Sequence, residues 1–135
     1  MKIVVIDGQG GSVGRMLIEK MLSRKLDAEI VAIGTNSIAT SGMLKAGANY
    51  GATGENPVIV ACRDADVIIG PIGILAADSL LGEITPAMAL AVGQSKAVKL
   101  LLPVNHCNNR VVGIRQLTMN DIVKEAVESL KELLR

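Results

Sequence analysis

Two kinds of hydrophobic pattern alternate along the chain. Compact apolar runs rich in Val, Ile and Leu predict four β-strands, over residues 2–7, 29–34, 66–70 and 97–104. Apolar residues spaced three and four apart predict helices over residues 15–25, 38–46, 57–63, 86–92 and 118–134. The glycine-rich segment 49–55 predicts a loop, and residues 74–82 fit either a helical turn or a lid.

Local residues mark the start of three of these helices. Asn56 and Thr85 each precede a proline, which is typical of an N-cap followed by the first helical residue. Thr118 and Asp121 have capping-box-like spacing. One face of the last helix is apolar: Ile122, Val123, Ala126, Val127, Leu130, Leu133 and Leu134. We expect this helix to cover the sheet or a partner subunit.

The order of these elements predicts an α/β fold in a single domain, residues 1–135. Alternating strands and helices favour a three-layer, Rossmann-like sandwich around a mostly parallel sheet of four to five strands. Residues 110–114 are the candidate fifth strand, and only residues 105–109 separate them from the fourth. A parallel crossover needs a dozen or more residues, so an antiparallel edge strand is predicted there.

Composition narrows the classes of function. Half of the residues are apolar and Tyr50 is the only aromatic one, so the core is aliphatic, as suits a parallel sheet. A net charge of +1, no Lys/Arg cluster and no stacking residues argue against nucleic-acid binding. No run approaches the ~20 apolar residues of a membrane span, and Cys62 and Cys107 fit reduced thiols. We therefore expect a cytoplasmic protein with no membrane association.

The joint between the first strand and the first helix carries the main functional signal. Its glycines follow the pattern G-x-G-G-x-x-G, and residues 8–12 (Gly8, Gln9, Gly10, Gly11, Ser12) are the candidate cofactor-binding turn. Free amides and the helix dipole at such a joint attract phosphate or carboxylate. The alternative is that the glycines only let the turn close and the helix pack. A dinucleotide fingerprint would need glycine where Val13 stands, and Asp7 would repel a phosphate.

The end of the second strand bears on which cofactor could bind. A pyridine-dinucleotide domain usually places an acidic residue there to hold the ribose of NAD. Residues 34–37 contain neither that acid nor an arginine for the NADP phosphate. Asn36 could still donate to a sugar, so NAD, NADP or another nucleotide stays open as a cofactor. The alternative is that Thr35 or Ser37 caps the next helix.

Small or polar residues follow all four predicted strands. In parallel sheets ligands bind beyond the carboxyl ends of the strands. We therefore predict a site for a small anionic molecule at that edge, with Asn36, Gly73 and Asn105 lining it beside the glycine turn.

Catalytic chemistry has three weak candidates: Cys107, His106 and Asp7. Cys107 could act as a nucleophile if a helix N-terminus or a base lowers its pKa. The alternative is a loop cysteine beside an exposed histidine. These residues are too few for a zinc site, and no metal is predicted.

The chain resembles a family of small uncharacterised bacterial proteins that is known as a domain of unknown function. The resemblance rests on residues 5–11, 33–36, 45–48, 51–56, 67–73, 81–86 and 103–105. It spans nearly the whole chain and implies the fold and a prokaryotic cytoplasmic protein, but no catalytic residue. Residues 1–37 separately resemble nucleotide-binding Rossmann domains, with departures at Asp7, Val13 and Asn36.

Three hypotheses follow. The first is a module that binds a nucleotide or a phosphorylated metabolite at the carboxyl edge of the sheet. The second is a small enzyme with a Cys/His-dependent site that a homodimer completes. The third is a structural or regulatory subunit of a homo-oligomer, in which the glycines serve packing alone.

Overall fold

The computed structural model describes residues 1–104 and 108–135. The strands are β1 (Lys2–Asp7), β2 (Glu29–Gly34), β3 (Tyr50–Thr53), β4 (Val67–Pro71) and β5 (Val98–Leu102). The α-helices are α1 (Ser12–Ser23), α2 (Ser37–Ala46), α3 (Glu55–Cys62), α4 (Pro86–Gln94) and α5 (Met119–Leu133). A 3₁₀ turn, Ile72–Leu75, follows β4. The predicted α/β class is confirmed.

The five strands form one parallel sheet in the order β3-β2-β1-β4-β5. β1 lies in the centre, with Val4 opposite Val31 of β2 on one side and Ile68 of β4 on the other. The aliphatic side chains of β1, from Ile3 to Ile6, are at most 1% exposed. This is the continuous apolar pattern of a parallel sheet covered on both faces.

The helices cover the two faces of the sheet. Helices α1, α2 and α5 enclose one core layer, which contains Ile3, Leu17, Met43, Val127 and Leu130. Helices α3 and α4 enclose the other layer, built on Val4, Ile6, Val58, Ile84 and Val92. The apolar stripe of α5 therefore packs on the sheet, as one of its two predicted alternatives stated. No helix of the described ranges has the length and apolar content that a membrane crossing requires.

The predicted antiparallel edge strand over residues 110–114 is wrong. The sheet ends at β5, and the described part of the chain beyond it has no strand before α5. Gly113 adopts a left-handed φ of 88° within a turn, which interrupts the extended conformation. Val112 is 95% exposed and Ile114 is 49% exposed, so these branched side chains lack the packing that stabilises a strand.

The strand missing from the prediction is β3, which lies in the segment predicted as a loop. All four of its residues are exposed or half-buried, so it lacks the apolar run that marks the central strands. Asn49 places it beside β2, because its backbone N–H donates to the Ile30 carbonyl and its side chain accepts from the Ile30 N–H. An edge strand is held here by backbone pairing, for which hydropathy gives no signal.

Helix starts agree with the sequence at two of three positions. Thr85 caps α4 with Pro86 at its first turn, and Thr118 caps α5 by accepting from the Asp121 N–H. Helix α3 begins at Glu55 rather than at Pro57, with Gly54 as its N-cap. Its acidic first residue suits the positive end of the helix dipole.

Candidate functional site

The topology brings several loops to one edge of the sheet. Because all strands are parallel, the segments after β1, β2 and β4 leave the sheet at the same end. The order of the strands reverses between β1 and β4, which is where open α/β sheets form their ligand crevice. The glycine turn after β1 and the segment after β4 lie on either side of this position.

Asp7 accepts hydrogen bonds from amide groups on both sides of the glycine turn. Its carboxylate accepts from the N–H of Gly8 at 2.8 Å and from that of Gly14 at 2.7 Å, and the Val13 N–H also acts on it. The side chain is only 3% exposed. Burial raises the pKa of Asp7 above its ordinary value of 3.8, and the amide bonds oppose this. The Asp7 carboxylate therefore accepts hydrogen bonds from amides that a bound phosphate would otherwise use.

The glycines of this turn permit the close contact of α1 with α2. Gly11 is the N-cap of α1 with a left-handed φ of 73°, and a Cβ there would lie 2.7 Å from the Cα of Ala39. A Cβ on Gly14 would meet Met43. Gly10, by contrast, is exposed, and a Cβ on it would meet nothing within 4 Å. Gly11 and Gly14 thus serve helix packing, and Gly10 faces open space beside exposed Ser12.

Glu83, which the sequence did not single out, ties the edge together. Its Oε1 accepts from the Gln9 N–H at 2.8 Å, the Thr35 hydroxyl at 2.5 Å and the Asn36 side-chain amide at 2.8 Å. The hydrogen bond from Thr35, with those from Gln9 and Asn36, lowers the pKa of the Glu83 carboxyl below its ordinary value. One carboxylate oxygen therefore connects the loops after β1 and β2 with the segment before α4.

Asn36 combines capping with loop contacts. Its side-chain oxygen accepts from the Ala39 N–H at 2.9 Å, so Asn36 caps α2 in place of the predicted Thr35 or Ser37. Its amide nitrogen also donates to the Gln9 carbonyl at 2.8 Å. With the bond to Glu83, both polar ends of Asn36 are engaged within the protein.

The segment after β4 folds over the crevice. We call residues 78–83 the strap; it follows the 3₁₀ turn and is not helical. Ser79 of the strap donates a hydrogen bond to the carbonyl of Gly73, which is buried. Leu80 is 3% exposed, and its side chain lies over Gly8, 2.9 Å from the position of a Cβ there. The strap therefore rests on Gly73 and Gly8, and the Leu80 side chain fills the space over Gly8.

An open groove remains beside the glycine turn, along α2. It has a volume of about 630 Å³ and is lined by Gly10, Arg15, Ser37, Ile38, Ser41, Gly42 and Lys45. The α2 residues of this set share one face, because they are spaced three and four apart. The ion pairs within residues 1–104 and 108–135 involve Lys2, Arg24 and Arg115, so neither Arg15 nor Lys45 has an ion-pair partner there.

The remaining predicted residues divide into two groups. Asn105, His106 and Cys107 lie outside the described residues, so the Cys/His hypothesis stays a prediction. Cys62 is a buried free thiol, and burial raises its pKa to about 11. Over the described ranges, no cluster of three or more His, Cys, Asp and Glu side chains has the placement of a metal site.

Comparison with known proteins identifies the family. The family described as "Domain of unknown function (DUF3842)" matches residues 2–135. The chain belongs to this family. The resemblance predicted from the quoted motifs is therefore confirmed, and the family extends over the whole sheet, the strap and α5. No curated protein sequence matches the chain.

Two solved structures are similar to this member of the family in chain path. A dodecameric FMN-dependent UbiX-like decarboxylase from Escherichia coli O157:H7 has 15% identity and a TM-score of 0.47, with 98% of this chain and 93% of that chain covered. A putative NADPH:quinone reductase from Bacillus thuringiensis has 18% identity and a TM-score of 0.43, with 99% and 46% covered. Neither similarity bears on what this chain binds.

Proposed function

We propose that this protein binds a small phosphorylated metabolite or a nucleotide in the groove along α2, at the carboxyl edge of the sheet. The observation that carries the proposal is the combination in one groove of two cations without ion-pair partners in the described ranges, Arg15 and Lys45, and two exposed hydroxyls, Ser37 and Ser41. Cations with hydroxyl donors are the usual partners of a phosphate group.

The groove also has a surface for the uncharged part of such a ligand. Ile38 is 71% exposed at the first turn of α2, within the groove lining. A large exposed apolar side chain beside cations suits a molecule with an anionic group and a less polar body. Gly10, which also lines the groove, leaves room for such a molecule, because a Cβ on it would meet nothing within 4 Å.

The geometry favours a compact phosphorylated ligand over NAD or NADP. A dinucleotide places its pyrophosphate on the amides of the glycine turn, and here Asp7 and Glu83 accept from the amides of Gly8, Gln9 and Gly14. Asn36 is engaged with Gln9, Ala39 and Glu83 and cannot hold a ribose as it stands. The anion is therefore expected on the outer side of the turn, between Gly10 and α2.

Thermal unfolding with and without ligands tests this function. The purified protein is heated with ATP, NAD, NADP, CoA and sugar phosphates, each beside its phosphate-free counterpart. A binder at 100 times its Kd adds about 2.7 kcal/mol to the free energy of unfolding, and only the phosphorylated member of a pair should give a saturable increase in Tm.

A matched pair of double variants locates the site. Arg15→Gln with Lys45→Gln should weaken binding about tenfold or more, because each charged hydrogen bond contributes about 1.5–3 kcal/mol. The control is Arg63→Gln at the end of α3 with Lys124→Gln on α5. It removes the same charge from exposed positions and should leave binding unchanged. Equal weakening by both pairs, or no response to any phosphorylated compound, would count against the proposal.

A further inference from the structure

Backbone strain in this protein collects where the strap meets the glycine turn. Positive φ values outside glycine occur in the described residues at Gln9, Lys25, Asp78, Leu80 and Leu81. Four of these five lie in the strap or in the turn after β1. Such conformations cost on the order of 1–3 kcal/mol each and persist where the surrounding structure holds them.

The Glu83 carboxylate joins the two strained segments by hydrogen bonding, beside the apolar contact of Leu80 with Gly8. Its Oε1 accepts the Gln9 N–H, and Gln9 has a φ of 48°. Three donors from two loops converge on this one oxygen, and Gln9 and Asn36 adjoin Gly10 and Ser37 of the groove in the chain. Backbone N–H, hydroxyl and side-chain amide donors around one anionic oxygen are the arrangement that binds phosphate or carboxylate in ligand sites.

We propose that Glu83 is an internal occupant of a second anion position, and that a phosphate or carboxylate group of the ligand displaces it and releases the strap from the glycine turn. The inference rests on the proposed function for the ligand body, which the adjoining groove would hold. Once Glu83 is displaced, the donors of Gln9, Thr35 and Asn36 become available to the ligand.

Displacement makes binding and strap release two parts of one equilibrium. The ligand exchanges its anionic oxygen for the Glu83 oxygen on the same three donors, so no donor is left unpaired. The wild-type protein must first give up its own contact, which reduces the apparent affinity by the fraction of molecules in the released state. Removing the carboxylate should therefore raise the affinity for anions.

Inorganic phosphate titrated into isotope-labelled protein tests this inference by amide chemical shifts. Glu83→Ala should bind phosphate at least about tenfold more tightly than the wild type, with saturable shifts at Gln9, Thr35 and Asn36. Glu83→Gln keeps the size of the side chain, replaces Glu83→Ala if that variant does not fold, and should also bind phosphate more tightly than the wild type. Glu132→Gln on α5 removes the same charge far from the edge and should behave as the wild type.

Hydrogen exchange supplies a readout that needs no ligand. The Gln9 amide should exchange about tenfold faster or more in Glu83→Ala than in the wild type, because its acceptor is gone. Unchanged exchange at Gln9, or equal phosphate affinity in Glu83→Ala and the wild type, would overturn the inference.

The two proposals can fail separately. Glu83→Ala is combined with Arg15→Gln and Lys45→Gln. If this triple variant still binds phosphate as tightly as Glu83→Ala, the result supports an anion position at Glu83 and contradicts binding in the groove along α2. Ligand binding that needs the two cations and is the same with and without Glu83 supports the groove and contradicts displacement.

Discussion

Two carboxylates determine the chemistry of the carboxyl edge at the scale of single residues. The sequence places Asp7 beside the predicted phosphate position, because it is the last residue of β1 and precedes the glycine turn. The hydrogen bonds that its carboxylate accepts could not be predicted, because they depend on how the folded turn orients the amides of Gly8 and Gly14. Glu83 could not be found from local pattern at all, since its partners Thr35 and Asn36 lie in a distant part of the chain.

Removing Asp7 should show how much the helix start depends on it. Asp7→Ala leaves buried N–H groups without an acceptor, and we expect a loss of at least about 2 kcal/mol in the free energy of unfolding. Asp7→Asn keeps one accepting oxygen and should lose less than half as much. Urea denaturation measures both, with Asp27→Asn, an exposed aspartate, as the control. Equal stability of Asp7→Ala and the wild type would show that the carboxylate does not hold the turn.

The opposite pKa shifts of the two carboxylates predict opposite pH profiles. The pKa of Asp7 is raised by burial in the folded state, so its contribution is complete below 3.8 and is lost as the pH rises through the folded pKa. The pKa of Glu83 is lowered by its hydrogen bonds, so its contribution is present above 4.5 and is lost as the pH falls through the folded pKa.

Urea denaturation between about pH 3 and pH 7, a range that includes the ordinary pKa values of both carboxyl groups, measures these profiles. The wild type should lose stability relative to Asp7→Asn as the pH rises, and gain stability relative to Glu83→Gln over the same change. Parallel profiles for all three proteins would contradict both pKa directions.

At the scale of elements, four of the five strands were predictable, including β5 at one edge, and the exposed strand β3 at the other edge was not. β1, β2 and β4 carry dense apolar runs because both faces are buried. β3 is exposed and the segment 110–114 is branched and apolar, so hydropathy alone assigned each of them the wrong way. Which segment pairs at an edge depends on backbone hydrogen bonds and turn geometry, such as the left-handed Gly113.

Packing of α1 against α2 should depend on Gly11 and not on Gly10. Gly11→Ala forces a left-handed alanine against the Ala39 backbone, and should cost about 2–4 kcal/mol. Gly10→Ala meets no neighbouring atom and should change stability by less than about 1 kcal/mol. Chemical denaturation of both variants gives the comparison. Similar losses at the two positions would show that flexibility of the turn, and not close packing, is what the glycines provide.

Helix α2 should gain stability from a single methyl group. Gly42 lies inside the helix, and a Cβ there would meet nothing within 4 Å. Gly42→Ala is therefore expected to stabilise the protein by about 0.5–1 kcal/mol through helix propensity. Thermal unfolding followed by circular dichroism measures it. A loss of stability would mean that the groove face of α2 is more crowded than the structure shows.

At the scale of the whole molecule, a mainly parallel sheet was predictable, but whether its crevice is open or filled was not. Alternating elements and short loops restrict the fold to a doubly wound sheet. Whether the crevice at the switch point stays open depends on Leu80 and Glu83, which reach it from the strap. The anion site expected on the turn is thus occupied from within, and the proposed site lies on its outer side along α2. A homodimer stays a prediction.

Binding of a phosphorylated ligand along α2 is tested most directly by mapping the amide chemical shifts that the ligand changes. Isotope-labelled wild-type protein is titrated with the phosphorylated compound that raises its Tm most. We expect saturable shifts at Gly10, Ser37 and Ser41, with a single Kd that Arg15→Gln with Lys45→Gln raises about tenfold or more. Saturable shifts confined to another surface, such as the groove between helices α3 and α4 that Arg63 and Lys96 help to line, would contradict binding along α2.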